Sequence, residues 1–152
     1  MCLKVGIDPD VDKNGVAILN ENEGDLKLLN LKFFELYDLL KKLKKDNEKL
    51  LVLIEGGWMN MSNWHKDEYG TAAKNAEIGK RTGANHEVGK KIVEMAQYLE
   101  ITHLVVKPTK TKVKSKLFHK ITGVKRSNQE QRDAYMLLHR INKKIKNVQR
   151  DI

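Results

Sequence analysis

The sequence predicts an α/β layer fold with a mixed sheet. Three early apolar runs are joined by short turns, two later apolar runs alternate with helical periodicity, and two of the runs end in a carboxylate. The order reads as three strands, a helix, a strand, a helix, a strand and a final helix.

Residues 2–7 and 16–20 are apolar and β-prone, and Asn14-Gly15 between them is a turn signal, so they form an antiparallel hairpin. Leu26 to Phe34 supplies a third strand that extends the meander. The period then changes. Leu36, Leu39, Leu40 and Leu43 share one helical face, and Lys41, Lys42, Lys44 and Lys45 lie around the other, suited to the end of the helix dipole.

Leu50 to Ile54 is continuously apolar, as in a strand buried on both faces, and it stops at Glu55. Gly56 to Ala84 reads as irregular and polar but carries Trp58, Trp64 and Tyr69. A long helix is expected from about Asn85, with Val88, Ile92, Met95 or Ala96 and Leu99 in register. His103 to Lys107 is the fifth strand, stopped by Pro108. A lysine-dense connection follows, with Lys110, Lys112, Lys114 and Lys116 alternating with Thr, Val and Ser. Leu117, Phe118 and Ile121 make a short helix closed by Gly123. Ser127 opens the last helix, whose apolar side holds Ala134, Met136 or Leu137 and Ile141 before a basic tail.

A chain of 152 residues suits one domain, 1–152, with 40% hydrophobic and 32% charged residues marking a globular composition. No apolar stretch approaches the ~20 residues of a membrane span, and no secretory leader pattern opens the chain, so a cytoplasmic setting is expected. The single cysteine, Cys2, excludes an internal disulfide and a cysteine-type zinc site. Net charge of +9 favours polyanionic partners through counterion release, making nucleic acid the leading class. Candidate contacts are Trp58, Lys80, Arg81, Lys107, Lys110, Lys112 and Lys114. The five histidines are dispersed without metal-ligand spacing, which suits surface or core roles.

A carboxylate at the end of a buried strand is costly unless a metal, a cation or several donors compensate it. Asp8 and Glu55 both stand there, and they face one crevice if their strands are neighbours. Glu130 and Asp133, three apart on a helix, share a face and can aim two more carboxylates at one point. Four carboxylates in a basic protein suggest two Mg²⁺ ions acting on a phosphodiester, with Mn²⁺ able to substitute. Two plainer readings stand beside this. Ser127 and Glu130 have the spacing of a capping box, and Asp133 fits a solvated position early in a helix.

Gly6-Ile7-Asp8-Pro9, Ile54-Glu55 with Trp58 three residues on, Lys114 ahead of a short helix, and Glu130-Gln-Arg-Asp133 resemble, in that order, the RuvC family of Holliday junction resolvases. The resemblance implies an RNase H-like fold: a mixed five-stranded sheet, three strands antiparallel and then two parallel, flanked by helices. It implies Asp8, Glu55, Glu130 and Asp133 as metal-binding catalytic acids, Lys114 as a catalytic lysine near the scissile phosphate, and Trp58 as a base-stacking aromatic. It further implies a homodimeric, DNA-associated endonuclease for four-way junctions, of cellular or phage origin, with no membrane partner and no small-molecule cofactor. Other RNase H-like nucleases acting on RNA:DNA hybrids, and a non-catalytic module for branched DNA, are the alternatives. The family pattern continues Asp-Pro with Gly, where this chain has Asp10.

Asp10, Asp12, Asn14, Gly15 and Glu21 also match the spacing of an EF-hand calcium loop. The strand before it and Pro9 at its entrance oppose the helix such a loop needs on its N-terminal side.

Overall fold

The computed structural model describes residues 2–60 and 70–150, with side chains described as far as Ile141. Trp64, His65 and Tyr69 lie outside the described residues, as do the side chains of the basic C-terminal tail.

Five strands form one sheet: β1 (Cys2–Asp8), β2 (Asn14–Asn20), β3 (Asp25–Leu31), β4 (Lys49–Glu55) and β5 (Thr102–Val106). Their order is β3-β2-β1-β4-β5, antiparallel across the first three and parallel from β1 to β4 and β4 to β5. This is the mixed arrangement expected from the sequence. The helices are α1 (Phe33–Asp46), α2 (Ala72–Tyr98), α3 (Ser115–Thr122) and α4 (Gln129–Arg150).

Strand side chains alternate between two cores. Leu3, Val5 and Ile7 of β1 and Leu50, Val52 and Ile54 of β4 pack with Leu36 and Leu40 of α1 and with Ile92, Met95 and Ala96 of α2. On the other face, Ala17 and Leu53 pack against Ala134, Leu137 and Leu138 of α4. By the same alternation Gly6 and Asp8 fall on the α4 face of β1, and Glu55 falls there with Leu53 on β4. Phe118 of α3 is fully buried and meets Tyr135 of α4 edge to face, with ring centroids 5.5 Å apart.

Several expected boundaries move. Asn14 and Gly15, expected as the hairpin turn, belong to β2, and residues 9–13 make the connection. β3 ends at Leu31, and Phe33-Phe34 open α1 instead, because the Lys32 backbone N–H donates to the Glu35 carboxylate (2.8 Å) and starts the helix there. α2 begins at Ala72, well before Asn85, so much of the stretch expected to be irregular is helical. Its start is fixed by Thr71, whose hydroxyl accepts from the Lys74 N–H. The first half of this helix is largely exposed and so carries no apolar stripe. Gly57 to Met59 form a short 3₁₀ turn directly after β4.

At the start of α4 the Asn128 side chain accepts from the Gln131 N–H (2.9 Å) and Gln131 returns a bond from the Asn128 N–H (3.1 Å). The capping box is therefore Asn128 with Gln131, one residue on from the expected Ser127 with Glu130. This leaves the Glu130 carboxylate free of capping.

Candidate active site

Ile7 of β1 and Ile54 of β4 are register partners in the parallel ladder, so Asp8 and Glu55 leave the sheet side by side at its carboxyl edge. Both point toward α4. Two glycines let that helix close on the sheet: a Cβ on Gly6 would overlap the Ala134 carbonyl, and one on Gly15 would overlap the Glu130 backbone. Gly15 is also the ladder partner of Asp8. The α4 turn carrying Glu130 and Asp133 is thus pressed against the strand end that carries Asp8.

The electrostatics record this convergence. Burial, then the charges of Glu55 and Asp133, hold the Asp8 carboxyl well above the usual carboxylate range, with Glu130 adding to the rise and Lys112 opposing it. Glu55 is also raised, first by burial and then by Asp133, against the lowering influence of Lys112 and Arg140. Among the described residues the carboxylates of Asp8, Glu55 and Glu130 accept no hydrogen bond. Asp133 is held on both oxygens, by Lys112 Nζ at 2.7 Å and by Gln129 Nε2 at 2.8 Å.

A cavity of about 370 Å³ opens over the strand ends. Asp8, Pro9 and Glu55 lie along it, Thr82, Asn85 and His86 of α2 border one side, and Pro108, Thr109, Lys110 and Lys112 border another. A second cavity of about 240 Å³ adjoins it, bordered by Glu55, Asp133 and Arg140. Lys112 borders both.

The sequence-predicted residues divide into groups. Asp8, Glu55 and Asp133 lie in one neighbourhood and act on one another's charge, and Glu130 acts on Asp8 from the same turn of α4 as Asp133. Of the lysines, Lys112 is the one that reaches Asp133, whereas Lys114 is the N-cap residue of α3, its carbonyl accepting from the Phe118 N–H. Lys110 borders the cavity, while Lys107 and Lys80 are exposed and do not line it. Trp58 is half-buried and lies against Gly89 of α2 beside Pro9, so part of its ring is committed to packing.

Arg81 is engaged too. Its guanidinium bonds Asp12 at 2.9 Å and Asp10 at 3.3 Å, and this pair raises its own proton affinity. The Asn14 side chain is buried, accepting from the Asp10 N–H and donating to the Leu31 carbonyl. The acids of the EF-hand spacing therefore already hold a cation, between two strands rather than two helices, and that reading is set aside.

Sequence reading missed three contributors. Gln129 orients Asp133, Arg140 stands near Glu55, and His86, expected to be a surface or core residue, borders the cavity with its ring on the Gly57 backbone. Burial and Lys90 lower the His86 pKa, which favours a neutral imidazole at pH 7.

The donor set suits a hard divalent cation, being all carboxylate, with three members lacking a hydrogen-bond partner among the described residues. As the side chains stand, no three acidic, histidine or cysteine groups among the described residues close on one point.

No protein-family model matches the chain, and no curated protein matches it by sequence. Among solved structures it is similar to T. thermophilus RuvC in complex with a Holliday junction substrate, at 13% identity over 88% of each chain, with a TM-score of 0.48.

Proposed function

We propose that the chain is a divalent-metal-dependent DNA endonuclease of the RuvC type, acting as a homodimer on four-way junctions with residues 1–152 as one nuclease domain. The observation that carries this reading is the convergence of Asp8 and Glu55, from adjacent parallel strands, with Glu130 and Asp133, from one turn of α4, beside a cavity with lysines along its rim. The junction preference and the dimer rest on the ordered sequence resemblance.

Asp8, Glu55, Glu130 and Asp133 would hold the metal. Bound there, Mg²⁺ or Mn²⁺ supplies Lewis-acid activation of the phosphodiester and of the attacking water. The chain's own groups do the rest. Lys110 and Lys112 draw the strand to the cavity, since an ammonium beside a phosphate is a charge-assisted contact. Thr82, Asn85 and His86 on the facing side present neutral polar groups that can position sugar and phosphate. Water oxygen bonds to phosphorus, the bond to the 3′-oxygen breaks, and the 3′-oxygen takes up a proton, leaving 5′-phosphate and 3′-hydroxyl ends.

The test is incubation with a synthetic four-way junction, linear duplex and RNA:DNA hybrid, with Mg²⁺ or EDTA, alongside Asp8→Asn. Paired symmetric nicks on the junction, abolished by EDTA or the substitution while binding persists, are expected. Junction binding with no cleavage under Mg²⁺ or Mn²⁺ would replace the nuclease by a binding module, and cleavage of the hybrid alone would move the substrate to RNA:DNA.

A further inference from the structure

We propose that Lys112 is a built-in rival of the metal: its ammonium holds Asp133, and divalent cation and lysine exchange for the same carboxylates. The inference rests on the reading of the four acids as a metal site. Lys112 Nζ lies 2.7 Å from Asp133 Oδ2, and the Asp133 side chain is only 11% exposed, so this is an ion pair with one buried end.

The same ammonium acts on more than one acid. Burial would lower the Lys112 pKa, but the bond to Asp133 and the charges of Asp133, Glu55 and Asp8 outweigh it and raise it. Lys112 in turn favours the charged forms of Asp8 and Glu55. It stands between the two cavities that share Glu55, which makes it the cation of the acidic basin rather than of one residue.

Release of the lysine needs movement of one side chain alone. The backbone beside Lys112 is tied down, because the Val113 carbonyl accepts from Arg132 Nε at 2.9 Å and from Gln129 Nε2 at 3.4 Å. Arg132 is itself fixed by the Ser127 carbonyl and hydroxyl and by Gln129 Oε1. The lysine's four-carbon stem is flexible and its side chain is 53% exposed, so the ammonium can swing into solvent without disturbing this anchor. Once released it stands at the rim beside Lys110, where a phosphodiester is the next anion in reach. Metal loading and strand contact are thereby coupled through one group.

The experiment is calorimetric titration of the full chain with Mg²⁺ and with Mn²⁺, in the absence of DNA, for wild type, Lys112→Gln and Lys112→Arg. A charge-assisted hydrogen bond of this kind predicts about tenfold tighter metal binding in Lys112→Gln and no gain in Lys112→Arg, which keeps a competing cation. In parallel, the Lys112 ammonium of the wild type is followed by NMR, so that the result does not depend on a variant folding. Its signal should shift on Mg²⁺ addition as Asp133 is given up.

Metal binding that is equal or weaker in Lys112→Gln, or a Lys112 signal unmoved at saturating Mg²⁺, overturns the exchange while leaving the metal site standing. Metal binding by none of the three proteins overturns the exchange and the metal site together.

Discussion

The backbone of Glu130 rests directly on Gly15, the residue paired with Asp8 across the β1–β2 ladder. No side chain intervenes, and Gly6 gives Ala134 the same access one turn along α4. The candidate site is therefore assembled by an absence of side chain at two positions in the sheet, which fixes where the α4 acids stand relative to the strand-end acids.

Gly15→Ala should separate these two pairs. The new methyl meets backbone, which cannot rotate away, so α4 must lift. Overpacking of this kind costs about 1–3 kcal/mol, to be read from urea unfolding. Junction cleavage should fall more than junction binding. Gly79→Ala is the control: a Cβ there meets nothing within 4 Å, and alanine inside a helix should stabilise by about 1 kcal/mol over glycine. Equal stability and activity in Gly15→Ala and wild type would refute the close approach.

Stability without metal should fall as pH rises. Asp8 and Glu55 have folded-state pKa values above their unfolded ones, so the folded protein binds more protons than the unfolded chain once pH passes about 4. Stability is then lost as pH climbs from there through the folded values. Asp8→Asn removes the larger contribution and should raise the melting temperature at pH 7 more than at pH 4. Mg²⁺ should raise the wild-type melting temperature more at pH 7 than at pH 5 and do less for Asp8→Asn. A wild-type melting temperature that climbs steadily from pH 4 to 7 in EDTA would contradict the raised values.

Much of this was legible in the sequence where period and burial coincide. The runs ending in Asp8 and Glu55 read as strands because they are short, largely apolar and β-prone, the second continuously so. That both acids lie on one face depends on the register pairing Ile7 with Ile54, which a strand pattern alone does not give. The start of α2 was hidden because its exposed first half lacks a stripe. Lys112 could not be told from Lys114 along an alternating segment, since the choice is made by Arg132 gripping the Val113 carbonyl from another element. Both Ser127 with Glu130 and Asn128 with Gln131 fit a capping box by spacing. Asn128 additionally bonds Asn30 of β3 at 2.6 Å, a contact across 98 residues that no local pattern displays.

Calcium should leave the β1–β2 loop unchanged. Arg81 already bridges Asp10 and Asp12, and Asn85 Oδ1 accepts from the Val11 N–H at 2.8 Å, tying the loop to α2. This also gives Asp10 a role of its own, as the partner of Arg81. Backbone amide shifts of residues 10–15 should stay in place on addition of Ca²⁺ to millimolar levels. In Arg81→Gln the same amides should shift without calcium, because the guanidinium is lost. Calcium-dependent movement of these amides in the wild type would restore the loop as a cation site.

Trp58 should prove to be a structural residue before it is a stacking one. Gly89 is buried in the middle of α2, and a Cβ there would stand 2.5 Å from Trp58 Cζ3 and 3.3 Å from Pro9 Cγ. The indole thus packs where the exits of β4 and β1 meet α2. Trp58→Ala should cost about 3 kcal/mol, the lower end for a large aromatic because the residue is half-buried. Gly89→Ala should cost about 1–3 kcal/mol by pushing the ring from its seat, although alanine is the better helix former. If stacking on bases were its main work, Trp58→Ala would weaken junction binding with little change in the urea midpoint, and Gly89→Ala would leave binding untouched. The packing predicts the reverse order, with both substitutions lowering the midpoint and Gly89→Ala reducing cleavage through displacement of the cavity wall that carries Asn85 and His86.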